Sequence, residues 1–586
     1  MGICLTAPRY RAHMSPMLSR NQLILSAALA AAFSAAEAQP GRDTTTGFEI
    51  KDETIIRNCS GCHVKDSTNR LGRLSFMRKT PEGWETSIRR MVTLQQVNLQ
   101  PADARAIVRY LSDNQGIAPA ELRPGRFEVE RRSTDYRYTA DTRTETTCRA
   151  CHSMGRVITE RRTREEWGLL VAMHRGYYPG VDNQGFRRGG PPPPDSAGAP
   201  HPMDLAITHL ARVFPLRTPE WAAWSATMRP PPIEGTWIVS GNEPGKGTFY
   251  GRLIVTNVGP AEYTTRATYR FASSGVSVVR EGRSVVYTGF QWRGRSSEAT
   301  ARDQPWREVM LVEPGWQEMS GRWFRGDYDE FGIDVTLRRA TAATVALGVA
   351  PKSLRTNVAG QVITVFGANL PRDTQALALN FGPGVRVERV VRATPDSVTV
   401  RVAVDSAAAI GMRDVFVAGT ALPGGVAVYN RIDRIRVLPR HGMARTGGAN
   451  FPKQYAQFEA FAFHDGVDNK PETADDLDLG PVPVTWALEE YTVTFDDDDL
   501  KFVGSIDQKG LFTPAVDGPN PRRSGNRNNV GDVWVVATHT PPGPVAKPMK
   551  ARALLVSTVP LYMRWEPWRV EEPAPAVRAN TTVPQR

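Results

Sequence analysis

The sequence predicts a multidomain chain: an α-helical domain followed by all-β domains, an antiparallel β-barrel and then two immunoglobulin-like β-sandwiches. Three observations carry this. The 586 residues are too many for one hydrophobic core and imply about three to five domains. Helical periodicity with capping signals fills the chain up to Pro230-Pro231-Pro232. Beyond that point the pattern turns to short alternating strands punctuated by glycine. Hydrophobic residues at 41% and charged residues at 23% fit a globular protein. No internal run is long and apolar enough to span a bilayer.

The N-terminus reads as a targeting segment. Arg20 precedes an Ala-rich apolar stretch from Leu23 to Ala36, and Ala36-Glu37-Ala38 fits a small-x-small cleavage site before Gln39. Residues 1–38 are therefore expected to be a Sec-type signal peptide, which implies the periplasm. A start at Met14 or Met17 would give a more usual signal length. The net charge of +12 falls to +10 once the three Arg and one Glu of that segment are removed. Residues 39–232 carry 29 Lys and Arg against 22 Asp and Glu, so most of the excess lies there. A basic domain suggests nucleic acid, but an exported one has no nucleic acid to meet. Its arginines suit a carboxylate-bearing partner of another kind.

Cys4 lies in the signal segment, and the other four cysteines form two pairs. Asn58-Cys59-Ser60-Gly61-Cys62-His63 is the first and Thr147-Cys148-Arg149-Ala150-Cys151-His152 the second. In CxxCH both thiols form thioethers to one porphyrin, and the adjacent His reaches the iron. The rival readings are a redox CxxC and half of a zinc site. The first wants a βαβ context and the second further Cys or His ligands. Two copies, each followed by His, with no cysteine to spare, point to two covalent haem c groups. Cys59, Cys62, Cys148 and Cys151 would attach them, with His63 and His152 as proximal ligands.

An internal repeat suggests the distal ligands. Arg78-Lys79-Thr80-Pro81-Glu82-Gly83-Trp84 and Arg161-Arg162-Thr163-Arg164-Glu165-Glu166-Trp167 match at four of seven positions. Each reads as a helix start with Thr as N-cap and an acid in the first turn. Seven residues, or two turns, past each Trp stands an iron ligand on the same helix face: Met91 in one copy and His174 in the other. Met77 is the rival for the first haem. For the second the rivals are Met154, Met173, His201 and His209. Pro101 to Leu111 carries an apolar helical stripe and would close the first lobe, with Asp204 to Phe214 as its counterpart after an insertion containing Pro191 to Pro194. The dihaem cytochrome c domain thus spans residues 39–232.

Between residues 233 and 345, strands are expected at Gly251–Val258, Glu262–Phe271, Ser284–Arg293, Arg307–Val312, Met319–Phe324 and Gly332–Leu337, which suggests the barrel. The two sandwich domains would cover 346–438 and 439–565, the first opened by Gly360 to Leu370. The Pro- and Ala-rich tail, 566–586, is expected to be disordered. Asp465, Asp468, Asp475, Asp476 and Asp478 crowd one loop and Asp496 to Asp499 form a second run; both read as solvated acidic loops or as Ca²⁺ sites of non-EF-hand spacing.

The two CxxCH sites, RKTPEGW (Arg78–Trp84), GFQWRG (Gly289–Gly294), SGRWF (Ser320–Phe324), Gly518-Pro519-Asn520-Pro521 and the four-part order together resemble the alpha subunit of quinohemoprotein amine dehydrogenase. The resemblance covers nearly all of the chain after the signal segment. It implies a haem-bearing subunit with no catalytic residues of its own for amine oxidation. A small gamma subunit would carry the cysteine tryptophylquinone, and a beta subunit would be a β-propeller. Electrons would pass through one bis-His and one His/Met haem to a soluble acceptor, a cytochrome c or a blue copper protein. Where the family has a His before the RKTPEGW-like stretch, Phe76 and Met77 stand here, so Met77 stays open as a ligand. A stand-alone dihaem carrier and a dihaem peroxidase are the alternative functions.

Overall fold

The repeat in the sequence becomes two helical lobes. In the computed structural model, residues 45–126, 138–149, 152, 154–178, 200–302, 305–325, 332–448, 451–491, 498–541 and 547–560 are described. The expected signal peptide, Cys151, the Pro191–Pro194 loop, Asp496 and the expected disordered tail lie outside them. The first lobe holds α1 (Glu53–Cys59), β1 (Met77–Lys79), α2 (Pro81–Leu94), α3 (Pro101–Asn114) and α4 (Pro119–Leu122). The second holds α5 (Thr142–Arg149), α6 (Gly155–Ile158), β2 (Glu160–Arg162), α7 (Arg164–Tyr177) and α8 (Pro202–Val213), followed by α9 (Pro219–Thr227).

Local chemistry sets the helix starts. The Thr80 hydroxyl accepts from the Gly83 N–H and the Thr163 hydroxyl from the Glu166 N–H, each at 3.2 Å, which satisfies one orphan donor at each N-terminus. Proline at the first turn of α2, α3, α8 and α9 costs no hydrogen bond there. Each lobe then buries its own apolar cluster. Trp84 packs with Ile55, Met77, Ile107 and Leu111, and Trp167 with Met154, Ile158, Ile207 and Leu210.

The lobes meet through the repeat itself. β1 and β2 pair antiparallel, with Met77 opposite Arg162, Arg78 opposite Arg161 and Lys79 opposite Glu160. Arg78 and Arg161 are equivalent residues of the repeat, and the flanking pairs exchange under the same equivalence. The ribbon therefore has an approximate two-fold axis through its central pair. Both central arginines turn to one carboxylate. Arg78 binds Glu121 through two bonds of 2.8 Å, and Arg161 adds a third of 3.1 Å. Thr218 and the Ala118 N–H complete the shell. Burial alone would raise the Glu121 pKa, but the two guanidinium groups hold it down to about 2.

After Pro232, eight strands from β3 (Gly235–Glu243) to β10 (Gly332–Arg339) close into an antiparallel barrel, β10 pairing with β3. Closure removes the exposed edges an open sheet would carry. Alternation points one face of each strand into a core that includes Trp237, Phe249, Tyr263, Trp292 and Trp323. The strand expected at Ser284–Arg293 is two strands: the end of β6 (Ser277–Tyr287) and the start of β7 (Gln291–Glu298). Thr288 and Gly289 have φ of 57° and 74°, as a tight hairpin requires, and the apolar alternation runs up to the turn from both sides. This turn seats the helical domain. The Thr288 N–H donates to Asp113 at 2.6 Å, the Trp224 indole N–H donates to the Thr288 carbonyl, and Arg293 pairs with buried Glu82 in the first turn of α2.

Residues 345–429 form a four-stranded and a three-stranded sheet around a Val-rich core, and residues 434–558 form sheets of three, four and three strands. The acidic loops face arginine. Asp465 and Asp476 pair with Arg434, Glu472 with Arg440, and Asp498 and Asp499 with Arg523. Among the described residues no group of His, Cys, Asp and Glu is arranged to hold a metal ion. Nor is any described helix long and apolar enough to cross a membrane.

Replacing Glu121 by Gln should strand two buried guanidinium groups and cost about 3–5 kcal/mol, read by chemical unfolding of the helical domain. The acid response follows from the same charges. Glu121 and Glu160 both sit near pKa 2, below the ordinary value of 4.5. Their stabilisation is complete above about pH 4.5 and is lost as the pH falls toward 2. Circular dichroism should show the wild-type helices losing stability in that window, with a smaller response in Glu121→Gln.

Candidate haem sites

The first site is built at the C-terminal end of α1. The Asp52 side chain caps the helix start by accepting from the Ile55 N–H at 2.9 Å. At the other end the N–H groups of Cys62 and His63 both return to the Cys59 carbonyl, at 3.3 and 2.9 Å. One tight turn therefore presents Cys59, Cys62 and His63 together. Both thiols are free, with Cys59 half-buried against the lobe core and Cys62 exposed. Burial, with Asp52 and Cys62 nearby, pushes the Cys59 thiol up to about 11. An exchange dithiol needs the reverse, a thiolate stabilised below its ordinary pKa. This counts against the redox CxxC reading for Cys59.

His63 is prepared as a ligand. Its Nδ1 lies 2.8 Å from the Gly72 carbonyl, so Nδ1–H donates and Nε2 is left as the acceptor. Burial lowers its pKa and favours the neutral, ligating form. His174 on α7 has the same arrangement, with Nδ1 at 2.7 Å from the Leu170 carbonyl one turn back. Its partner in space is His152, the proximal candidate of the second site: the two ring centroids lie 6.4 Å apart with planes at 49°. One metal between two imidazoles needs two bonds of about 2 Å and two ring radii of about 1.1 Å, or about 6.2 Å in all. The spacing fits a shared iron.

The structure brings His152 and His174 together; the contacts it describes do not include a pair of His63 with Met91. Met91 is half-buried on α2, at the place His174 holds on α7. The rivals have other work. Met77 is buried in the first lobe core with its sulfur toward Arg162, and Met154 is fully buried in the second. The Met173 sulfur accepts from Arg90 at 3.0 Å. His201 caps α8 by accepting from the Met203 N–H at 3.2 Å, and His209 meets the Tyr138 hydroxyl at 2.7 Å. Arg90 and Met173 each precede a distal candidate, so α2 and α7 touch where those candidates stand.

Between the lobes lies a charged face that sequence reasoning missed. Glu160 pairs with Arg162 at 2.6 Å and with Lys79 at 3.4 Å; Glu166 pairs with Arg73 at 3.2 Å. Arg90 lies within electrostatic reach of Glu160 and Arg162, and its Nε is buried with no acceptor among the described residues. Four cations thus share two carboxylates. Burial, opposed by Glu160, brings Lys79 down to about 7. Haem propionates at the two candidate sites would offset the positive charge of Arg90 and Arg162. The signal was present in the sequence as the Arg-Lys-Thr and Arg-Arg-Thr pair, which reads as a solvated face until the two copies are seen to pair.

Comparison with protein families gives four matches in chain order. Residues 50–190 match the model described as quinohemoprotein amine dehydrogenase A, alpha subunit, haem binding. Residues 230–340, 342–430 and 435–569 match alpha subunit domains II, III and IV of the same protein. No curated protein matches the chain. Among solved structures, a redesigned β-barrel is 15% identical, covering 19% of this chain and 92% of its own, with a TM-score of 0.17. A mouse clustered protocadherin fragment, PcdhgC3 EC1-3, is 10% identical over 43% of this chain and 75% of its own, with a TM-score of 0.15. Neither likeness bears on function.

Removing one imidazole of the facing pair should be visible in the metal. In haem-loaded protein, His174→Ala should turn one low-spin centre high-spin, while His201→Ala and His209→Ala leave the spectrum unchanged. Electron paramagnetic resonance reads the difference directly.

Proposed function

The chain belongs to the quinohemoprotein amine dehydrogenase alpha-subunit family, and from that premise we propose that it is the electron-transfer subunit of a periplasmic amine dehydrogenase. Its donor is a cysteine tryptophylquinone on a gamma subunit, held together with a β-propeller beta subunit. Its acceptor is a soluble cytochrome c or blue copper protein. The observation that carries the reading is the facing pair His152 and His174; Met91 stands on α2 where His174 stands on α7.

Haem bound at each site supplies a one-electron couple. The chain's own residues do the rest. Cys59, Cys62, Cys148 and Cys151 anchor the two groups covalently. The Gly72 and Leu170 carbonyls fix the tautomers of His63 and His174, which leaves Nε2 of each as the nitrogen that would ligate a metal. The cations Lys79, Arg73, Arg90 and Arg162 offset propionate charge between the lobes. The ligand sets order the sites, because methionine raises a haem potential relative to histidine. His152/His174 is then the receiving site and His63/Met91 the exit. The contact of Arg90 with Met173 supports close approach of the two sites, as successive single-electron transfers require.

No cysteine remains after residue 38 to crosslink with tryptophan, which supports a quinone on another chain. Periplasmic location rests on the signal-like N-terminus. A peroxidase would keep an open iron position; His174 facing His152 speaks against one at the second site.

Two covalent haems per chain should resist acid-acetone extraction and appear in a pyridine haemochrome assay; one per chain, or extractable haem, would sink the assignment. Met91→Ala should remove the near-infrared methionine-to-iron band and lower one midpoint potential. If Met77→Ala does so instead, the repeat misassigns the first site. The purified chain should be inert to primary amines, and reduced quinone subunit should reduce its haems in stopped flow. Amine-dependent reduction by the chain alone would place catalysis here and overturn the proposal.

A further inference from the structure

Inside the closed barrel one charged side chain has no hydrogen-bond partner. Arg280 on β6 is 0% exposed, and its Nε and both terminal nitrogens make no hydrogen bond. It points into the lumen, where aromatic faces surround it. Its guanidinium carbon lies 4.1 Å from the Trp323 ring centroid, 5.0 Å from Trp306 and 5.4 Å from Tyr269. These faces offset charge, but they accept none of the five guanidinium N–H donors. The indole N–H groups of Trp306 and Trp323 are also buried and unbonded.

The neighbouring carboxylates are committed elsewhere. Glu308, which faces the lumen, accepts from the Trp292 indole at 3.1 Å and from the Ser296 hydroxyl at 2.6 Å. Glu298, opposite Arg280 in the β6–β7 register, binds Arg325 at 2.8 Å. Glu243 binds Lys246 at 2.7 Å. Burial works against the charge on Arg280, as expected for a guanidinium without a direct counter-ion. A buried polar group in this condition ordinarily marks a missing water or ion.

We propose that the barrel lumen binds a small monovalent anion, held by the Arg280 guanidinium and the indole N–H groups of Trp306 and Trp323. The donor set contains no acceptor and so selects a ligand that only accepts. The aromatic walls disfavour a dianion, whose desolvation costs far more than that of a singly charged ion. The guanidinium, itself weakly hydrated, pairs well with a weakly hydrated partner such as a halide or nitrate. The site lies in the barrel, apart from both haem sites, and does not depend on their ligands.

Bromide is the probe. Crystals of the full haem-loaded chain soaked in sodium bromide should show one anomalous peak within hydrogen-bond reach of the Arg280 guanidinium. In solution, the β6 amides should exchange about ten-fold more slowly in bromide than in sulfate of matched ionic strength. Arg280→Met, an apolar replacement of similar length, should lose both the peak and the difference. Trp306→Phe, which keeps the ring and removes one donor, should reduce the protection several-fold. An ordered water at the guanidinium in place of bromide would overturn the proposal. So would a peak that persists in Arg280→Met, equal exchange in the two salts, or a crystal peak with no effect in solution.

Discussion

Glu121 accepts from the guanidinium groups of Arg78 and Arg161 in a site closed to solvent, and the arrangement of the two lobes follows from that junction. The two arginines are equivalent members of an internal repeat, so one carboxylate fixes the ribbon axis. α2 and α7 begin directly after the two strands, each behind its threonine cap. Their directions are therefore set by the ribbon, and Met91 and His174 fall two turns beyond Trp84 and Trp167. A buried ion pair is weak evidence of net stability. Here its plainer contribution is to register, since a one-residue slip of either strand would take one arginine away from Glu121.

The barrel acts on the same helices from outside. Arg293 reaches across to Glu82 in the first turn of α2, and the Thr288–Gly289 turn holds the C-terminal end of α3 through Asp113 and Ser112. A closed sheet is a rigid support, because its backbone polar groups are spent on its own ladder. The helix carrying Met91 is thus fixed at its start by the barrel and near its end by contact of Arg90 with α7. The proposed pair of one-electron sites would need such a fixed separation more than motion.

Much of this was legible from the residues. The CxxCH pairs named the cofactor, and the register of Met91 with His174 came from a match of only seven positions. Threonine caps and first-turn prolines marked the helix starts because those signals are local. The interlobe ribbon was not legible: Arg-Lys-Thr looks like a solvated helix approach, and only the pairing of two copies buries it. The β6–β7 turn was hidden because alternation continues on both sides of Thr288. Arg280 was hidden for a related reason. It occupies an inward position of a strand whose outward positions are also charged, Glu281 and Arg283 among them, so composition alone could not separate the lumen from the surface.

The central claim is that a duplicated lobe presents two differently ligated irons, one between His63 and Met91 and one between His152 and His174. Near-infrared magnetic circular dichroism of the oxidised, haem-loaded chain tests this most directly, because methionine–histidine and bis-histidine low-spin haems give separate charge-transfer bands. The account predicts one band of each kind in equal proportion. Two bis-histidine bands, two methionine bands, or a high-spin signal from either site in the wild-type chain would contradict it.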